Sequence, residues 1–112
     1  MHIDTIFMGH VVIVAVNGEV DTTTVADLHA VFDDLVVRGE QNYVIDLGNV
    51  TFMDSSGLAA LAKLYKRIRI GQGDVRLCCL RGELQRIMEL TRFDRVFDIF
   101  RDRDSALNSF AK

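Results

Sequence analysis

Three short apolar runs, Val11 to Val16, Tyr43 to Leu47 and Val75 to Leu80, alternate with stretches whose apolar residues return at helical spacing. That alternation constrains the fold more than any other feature of the chain. Short runs rich in Val, Ile and Leu read as strands buried in a sheet. Between them, Val25, Leu28, Val31, Phe32 and Leu35 make one stripe, and Leu58, Leu61, Tyr65 and Ile68 make a second, the pattern of helices with one face on a core. Ile3 to Phe7 adds a strand before Gly9, so the first two strands are predicted to form a hairpin. Leu84, Ile87 and Met88 mark a short third helix, Val96 to Phe100 a last short strand, and Ala106, Leu107 and Phe110 a terminal helix. The predicted order is ββαβαβαβα. It implies an α/β fold with a mixed sheet, helices packed mainly on one side, and right-handed strand–helix–strand crossovers.

The chain contains no proline, so glycines and polar clusters punctuate these elements. Asn17-Gly18-Glu19-Val20-Asp21 reads as a loop. The first helix is predicted from about Thr24 to Arg38, with Thr24 and Asp27 resembling a capping box and Gly39 at the C-terminal cap. The second runs from about 57 to 70, carries Lys63, Lys66, Arg67 and Arg69 on its outer face, and stops at Gly71 and Gly73. No linker, repeat or low-complexity stretch interrupts the pattern. With 112 residues and 49% hydrophobic content, one domain over residues 1–112 is expected.

Composition removes several function classes. No uncharged apolar window reaches the about eighteen residues of a membrane span, and the N-terminus lacks the pattern of a signal peptide. A soluble, cytoplasmic protein without a membrane role is the expectation. Adjacent Cys78 and Cys79 lie in a strand-like segment, where their side chains should point to opposite faces and make a poor disulfide. Residues 1–62 hold nine acids and one base, residues 63–112 seven acids and twelve bases; this asymmetry suits a charged partner surface. The bases are interrupted by acids and lack an aromatic platform, so nucleic-acid binding is not expected. His2, His10 and His29 stand in no motif that could activate a serine, and the sequence lacks the G-x-S-x-G turn of an α/β-hydrolase. Cys78-Cys79 lacks metal-ligand spacing, and Gly71-Gln72-Gly73-Asp74 lacks the remainder of a nucleotide-binding pattern. No enzyme, metal or cofactor is predicted.

The chemistry concentrates in Val50-Thr51-Phe52-Met53-Asp54-Ser55-Ser56-Gly57-Leu58. Here two hydroxyls and a carboxylate stand where an apolar strand gives way to a helix. Asp and Ser are preferred helix caps, which accounts for the residues structurally. The positive end of the helix also favours oxyanions, so a phosphate could be accepted there without breaking the fold. Small residues at Gly57, Ala59 and Ala60 would let a large partner approach.

Over about residues 4 to 110, the chain resembles a STAS domain of the bacterial anti-sigma-factor antagonist type. The likeness is carried by Val44-Ile45-Asp46-Leu47, by the Val50 to Leu58 run, which is similar to the family's phosphorylation-site signature, and by Asn17-Gly18-Glu19-Val20-Asp21, similar to a weaker second signature. The resemblance implies a partner switch. An unmodified antagonist binds an anti-sigma factor that is also a serine kinase, is released when that kinase phosphorylates it, and is reset by a metal-dependent serine phosphatase. It implies Ser56 as the phosphoacceptor and a partner surface including Gly18, Glu19, Asp21, Asp54, Ser55, Ser56, Gly57 and Leu58. The alternative is a STAS accessory or scaffold subunit of a transporter or stress-signalling complex without a phosphorylation cycle.

Overall fold

The computed structural model describes residues 1–111. Five strands form one sheet in the order β1-β2-β3-β4-β5, with β1 at His2–Met8, β2 at Val11–Val20, β3 at Asn42–Met53, β4 at Asp74–Cys78 and β5 at Asp98–Phe100. β1 and β2 pair antiparallel through a two-residue turn that brings Met8 opposite Val11. Gly9 takes the turn's positive φ, +64°, the demand a tight hairpin places on its first central residue. The remaining pairs are parallel.

Helices α1 (Val25–Val37), α2 (Ser55–Ile70) and α3 (Gly82–Leu90) connect successive parallel strands, and α4 (Arg103–Asn108) follows β5. Because the strands are laid down in sequence order, crossovers of one hand place their helices on one face. The core has that shape. Val12, Val14, Val16, Tyr43, Ile45, Leu47, Val75 and Leu77 point to the side where Leu28 and Phe32 of α1, Leu61 and Leu64 of α2, and Met88 of α3 pack. The alternate positions Val11, Ile13, Val44 and Cys78 form a smaller cluster under Ala106 of α4. The order ββαβαβαβα and the mainly one-sided helices are as the sequence predicts.

Several boundaries differ from the sequence expectation. Residues 17–20 continue β2 instead of looping, because β3 extends to Met53 and offers them partners; register shifts on either side of Gly18, with φ +105° at that glycine, accommodate the irregularity. Thr24 is the N-cap of α1, but its side chain caps nothing in the helix. It instead exchanges hydrogen bonds with Asp21: the Asp21 N–H donates to Thr24 Oγ1 at 2.9 Å, and Asp21 Oδ1 accepts from the Thr24 N–H at 3.2 Å. The box is therefore Asp21 with Thr24, three residues earlier than predicted. β4 stops at Cys78 and not at Leu80, and the last strand begins at Asp98 and not at Val96, because Val96 closes a 3-10 turn at Phe93–Arg95 and Phe97 turns into the core. Arg67 is not a free outer-face cation, since it bonds Asp33 and ties α2 to α1.

Tyr43 is fully buried in the main core, and its hydroxyl has no hydrogen-bond partner among the described residues. Burial, with some help from Glu40, pushes its pKa up to about 12. A buried donor left unpaired costs about 1–3 kcal/mol. Tyr43→Phe should therefore raise the free energy of unfolding by about 1 kcal/mol, the lower end of that cost. A urea midpoint moved to lower concentration would show that the hydroxyl is satisfied.

Candidate functional site

The last residues of β2 and β3 lie side by side, with Glu19 opposite Phe52 and Val20 opposite Met53. The Asp54 N–H donates to Val20 O at 3.1 Å, extending the pairing by one bond past the strand. This register brings the Gly18 to Asp21 segment beside Asp54, Ser55 and Ser56, although more than thirty residues separate them in sequence.

Asp54 is extended, with φ −97° and ψ −170°, and is the N-cap of α2. Its Oδ1 accepts from the Ser56 N–H at 2.9 Å and from Ser56 Oγ at 2.5 Å. One carboxylate oxygen thus caps the helix and fixes the Ser56 hydroxyl. The hydrogen bond from that hydroxyl is the main reason the Asp54 carboxyl lies below its usual range; the Ser56 and Gly57 N–H groups add to the effect, while desolvation and the nearby Asp21 charge oppose it. Asp21 is lowered too, chiefly by the Thr23 hydroxyl at 2.6 Å. Both acids are ionised at neutral pH. For carboxyls depressed on folding, this stabilisation is complete above the unfolded-state pKa and is lost as pH falls through the folded one, so the cap weakens only in acid.

Ser55 is exposed and Ser56 half-buried at the start of α2. Glu19 is exposed, and Gly18, Asp21 and Leu58 are half-buried. Leu58 leans on the main core. Gly57 is buried: a Cβ at that position would lie 2.6 Å from Met53 Cγ and 2.8 Å from Val20 Cγ1. Its smallness serves the packing of α2 against the two strand ends, shaping the site from beneath. Ala60 is buried as well, leaving only Ala59 of the small residues exposed.

Phe52 joins this surface as an apolar neighbour. The residue is 50% exposed beside the serine junction, where a groove of about 200 Å³ runs between β3 and α3, lined by Val50, Phe52, Leu84 and Ile87 with Arg81 and Glu83. Strand alternation contained the signal, because burying Met53 turns Phe52 outward. The surface around Ser56 therefore combines an acidic rim, the two serines and a largely apolar flank. It offers an acceptor oxygen and a contact surface. Among the described residues the Ser56 hydroxyl is hydrogen-bonded to Asp54 and to none of the three histidines. No described helix is long and apolar enough to cross a membrane.

Residues 2–106 match the STAS domain family. The chain is 29% identical over 98 residues to the anti-sigma F factor antagonist of Paenibacillus polymyxa, covering 87% of this chain and 84% of that one. A crystal structure of an anti-sigma factor antagonist from Mycobacterium paratuberculosis superposes with a TM-score of 0.91 at 28% identity, covering 99% of this chain and 94% of the other. The phosphorylated form of the Bacillus cell fate determinant SpoIIAA shares the fold, with a TM-score of 0.78 at 14% identity over 96% of this chain and 98% of that one.

Proposed function

This chain belongs to the STAS domain family, and we propose that it is an anti-sigma factor antagonist whose grip on its partner is controlled by phosphorylation of Ser56. Unmodified, it binds an anti-sigma factor that is also a serine kinase, through the surface formed by Gly18, Glu19, Asp21, Asp54, Ser55, Ser56 and Leu58, with Gly57 beneath. Binding withdraws the anti-sigma factor from its sigma factor and so permits transcription. The kinase then transfers the γ-phosphoryl group of ATP to Ser56: Oγ forms the new O–P bond, ADP leaves, and the hydroxyl proton is released. A metal-dependent serine phosphatase hydrolyses the ester and restores the binding form. The protein itself is the substrate in this cycle and catalyses no step.

The observation that carries the reading is the placement of Ser56, a half-buried residue at the mouth of α2 whose hydroxyl donates to Asp54 Oδ1 at 2.5 Å, beside the end of β2. A phosphate there adds about −1.5 to −2 charges beside two carboxylates that are already ionised. The relatives named as anti-sigma factor antagonists support the same role. The cytoplasm is where such a partner would be met.

The test is incubation of the chain with its anti-sigma factor kinase and ATP, followed by phosphopeptide mapping. The phosphate is expected on Ser56. Modification on exposed Ser55 alone would move the acceptor by one residue, and a chain that binds the anti-sigma factor yet is never phosphorylated would leave the switch without a basis.

A further inference from the structure

Regular strand geometry would send the side chains of Cys78 and Cys79 to opposite faces of the sheet. Cys79 departs from it with a φ of +68°, a left-handed conformation that residues with a Cβ avoid. The turn brings the two Sγ atoms to 3.4 Å, with both thiols free. Gly48 on β3 leaves room for it: a Cβ on Gly48 would meet Cys79 Cβ at 3.1 Å. An unusual backbone conformation that places two reactive groups in contact is the kind of outlier from which function is reasonably inferred.

The surroundings narrow the chemistry. The Asp46 carboxylate and both sulfurs lie within 4.8 Å of one another. Arg103 already holds that carboxylate, with Nε at 3.0 Å and Nη2 at 2.9 Å. The third group is thus engaged, and the two thiols are left as the reactive unit. Cys78 is buried among Val11, Ile13, Val44 and Ala106. Cys79 is half-buried and is the sulfur a reagent meets first.

We propose that Cys78 and Cys79 form a reversible two-electron thiol–disulfide centre whose oxidant is a small-molecule disulfide. Cys79, as the thiolate, attacks one sulfur of the reagent; a mixed disulfide forms, and the other half departs as a thiolate that takes up the proton Cys79 has lost. Cys78 then gives up its proton and attacks the Cys79 sulfur, expelling the second half of the reagent as a thiol. Two protein thiols become one disulfide, and one small disulfide becomes two thiols.

The trans peptide holds adjacent Cα atoms about 3.8 Å apart, closer than the roughly 4.4–6.8 Å that disulfides usually span. The ring is consequently strained, and strained disulfides are easily reduced, which suits a reversible centre. Burial pushes both thiols toward the protonated form, so exchange is slow at neutral pH and quickens as pH rises. The Cys79 N–H donates to Phe100 O at 3.1 Å, and Cys79 packs on Gly48. Ring closure therefore acts at the β4–β5 junction and against β3, the strand that leads to Ser56.

The experiment treats the reduced full chain with excess oxidised glutathione at mildly alkaline pH, alkylates the remaining thiols under denaturing conditions and measures the intact mass. The expected product is two hydrogens lighter than the reduced chain, carries no alkyl group on either cysteine, and returns to two alkylatable thiols with dithiothreitol. In Cys78→Ala the second step is removed, and glutathione should stay on Cys79. A wild-type chain that keeps both thiols, retains glutathione on Cys79 or links covalently to a second copy would overturn the proposal. That wild-type measurement decides the matter even if the variant does not fold. It is also independent of Ser56 phosphorylation.

Discussion

Ser56→Asp is expected to weaken binding to the anti-sigma factor by a hundredfold or more, while Ser56→Ala binds like the wild type and stays bound in the presence of ATP. A hundredfold loss corresponds to about 2.8 kcal/mol. Two unit charges of one sign at about 4 Å repel by roughly 4 kcal/mol at an effective dielectric near 20, so a single added carboxylate has enough reach. The substitution also removes the hydroxyl that Asp54 accepts from, replacing a donor with a second anion beside Asp54 and Asp21. Within the isolated domain the helix N-terminus offsets part of that charge, since an acid in the first turn gains about 0.3–1 kcal/mol. The core contacts of Leu61, Leu64 and Ile68 hold α2 in place. Circular dichroism of Ser56→Asp should therefore match the wild type while calorimetric titration with the anti-sigma factor shows the loss. Equal and tight binding by both variants would sink the charge mechanism; a collapse of helical signal would show that the switch works by unfolding.

The elements most legible in the sequence are those whose apolar pattern is settled locally. The stripes of α1 and α2 and the β-branched run of β2 each announce a period that any packed structure has to respect. The less legible parts depend on a neighbour. Asn17 and Gly18 favour turns by themselves, and Gly48-Asn49 reads as the end of a strand. In the fold, these two unpromising segments pair with each other, Asn17 opposite Asn49 and Gly18 opposite Val50. Asn49 Nδ2 even donates to Asn17 Oδ1 at 2.9 Å across the strands. That pairing is what sets Asp21 beside Asp54, so the candidate residues can be picked out of the sequence while the reason they meet cannot. The same limit applies to Cys79: nothing in the sequence marks a left-handed residue there, because its room is supplied by Gly48 on another strand.

Two glycine substitutions separate the stability of this fold from the shape of its site. Gly73→Ala should be the more destabilising, by about 3 kcal/mol, the upper end of ordinary overpacking costs. Its new methyl would lie 2.1 Å from the Gln41 carbonyl oxygen and 2.7 Å from Ile68 Cγ2. That carbonyl belongs to the backbone and already accepts from the Asp74 N–H at 3.0 Å, so the methyl can be seated only by disturbing the entry to β4. Gly57→Ala meets side chains instead, Met53 at 2.6 Å and Val20 at 2.8 Å. Met53 is unbranched and can yield in part, and alanine regains up to about 1 kcal/mol of helix propensity over glycine; the net loss should be nearer 1 kcal/mol. The order reverses for binding. Gly73 lies at the far end of α2 from Ser56, so Gly73→Ala that remains folded should bind the anti-sigma factor normally. Gly57→Ala pushes the first turn of α2 away from the ends of β2 and β3, shifting Ser56 against the rim at Glu19 and Asp21, and should weaken binding despite its milder effect on unfolding. Urea unfolding and titration on the same two proteins measure both rankings. If Gly57→Ala binds at full strength, the contact surface does not depend on how α2 is seated against the strand ends, and the partner must grip the chain elsewhere.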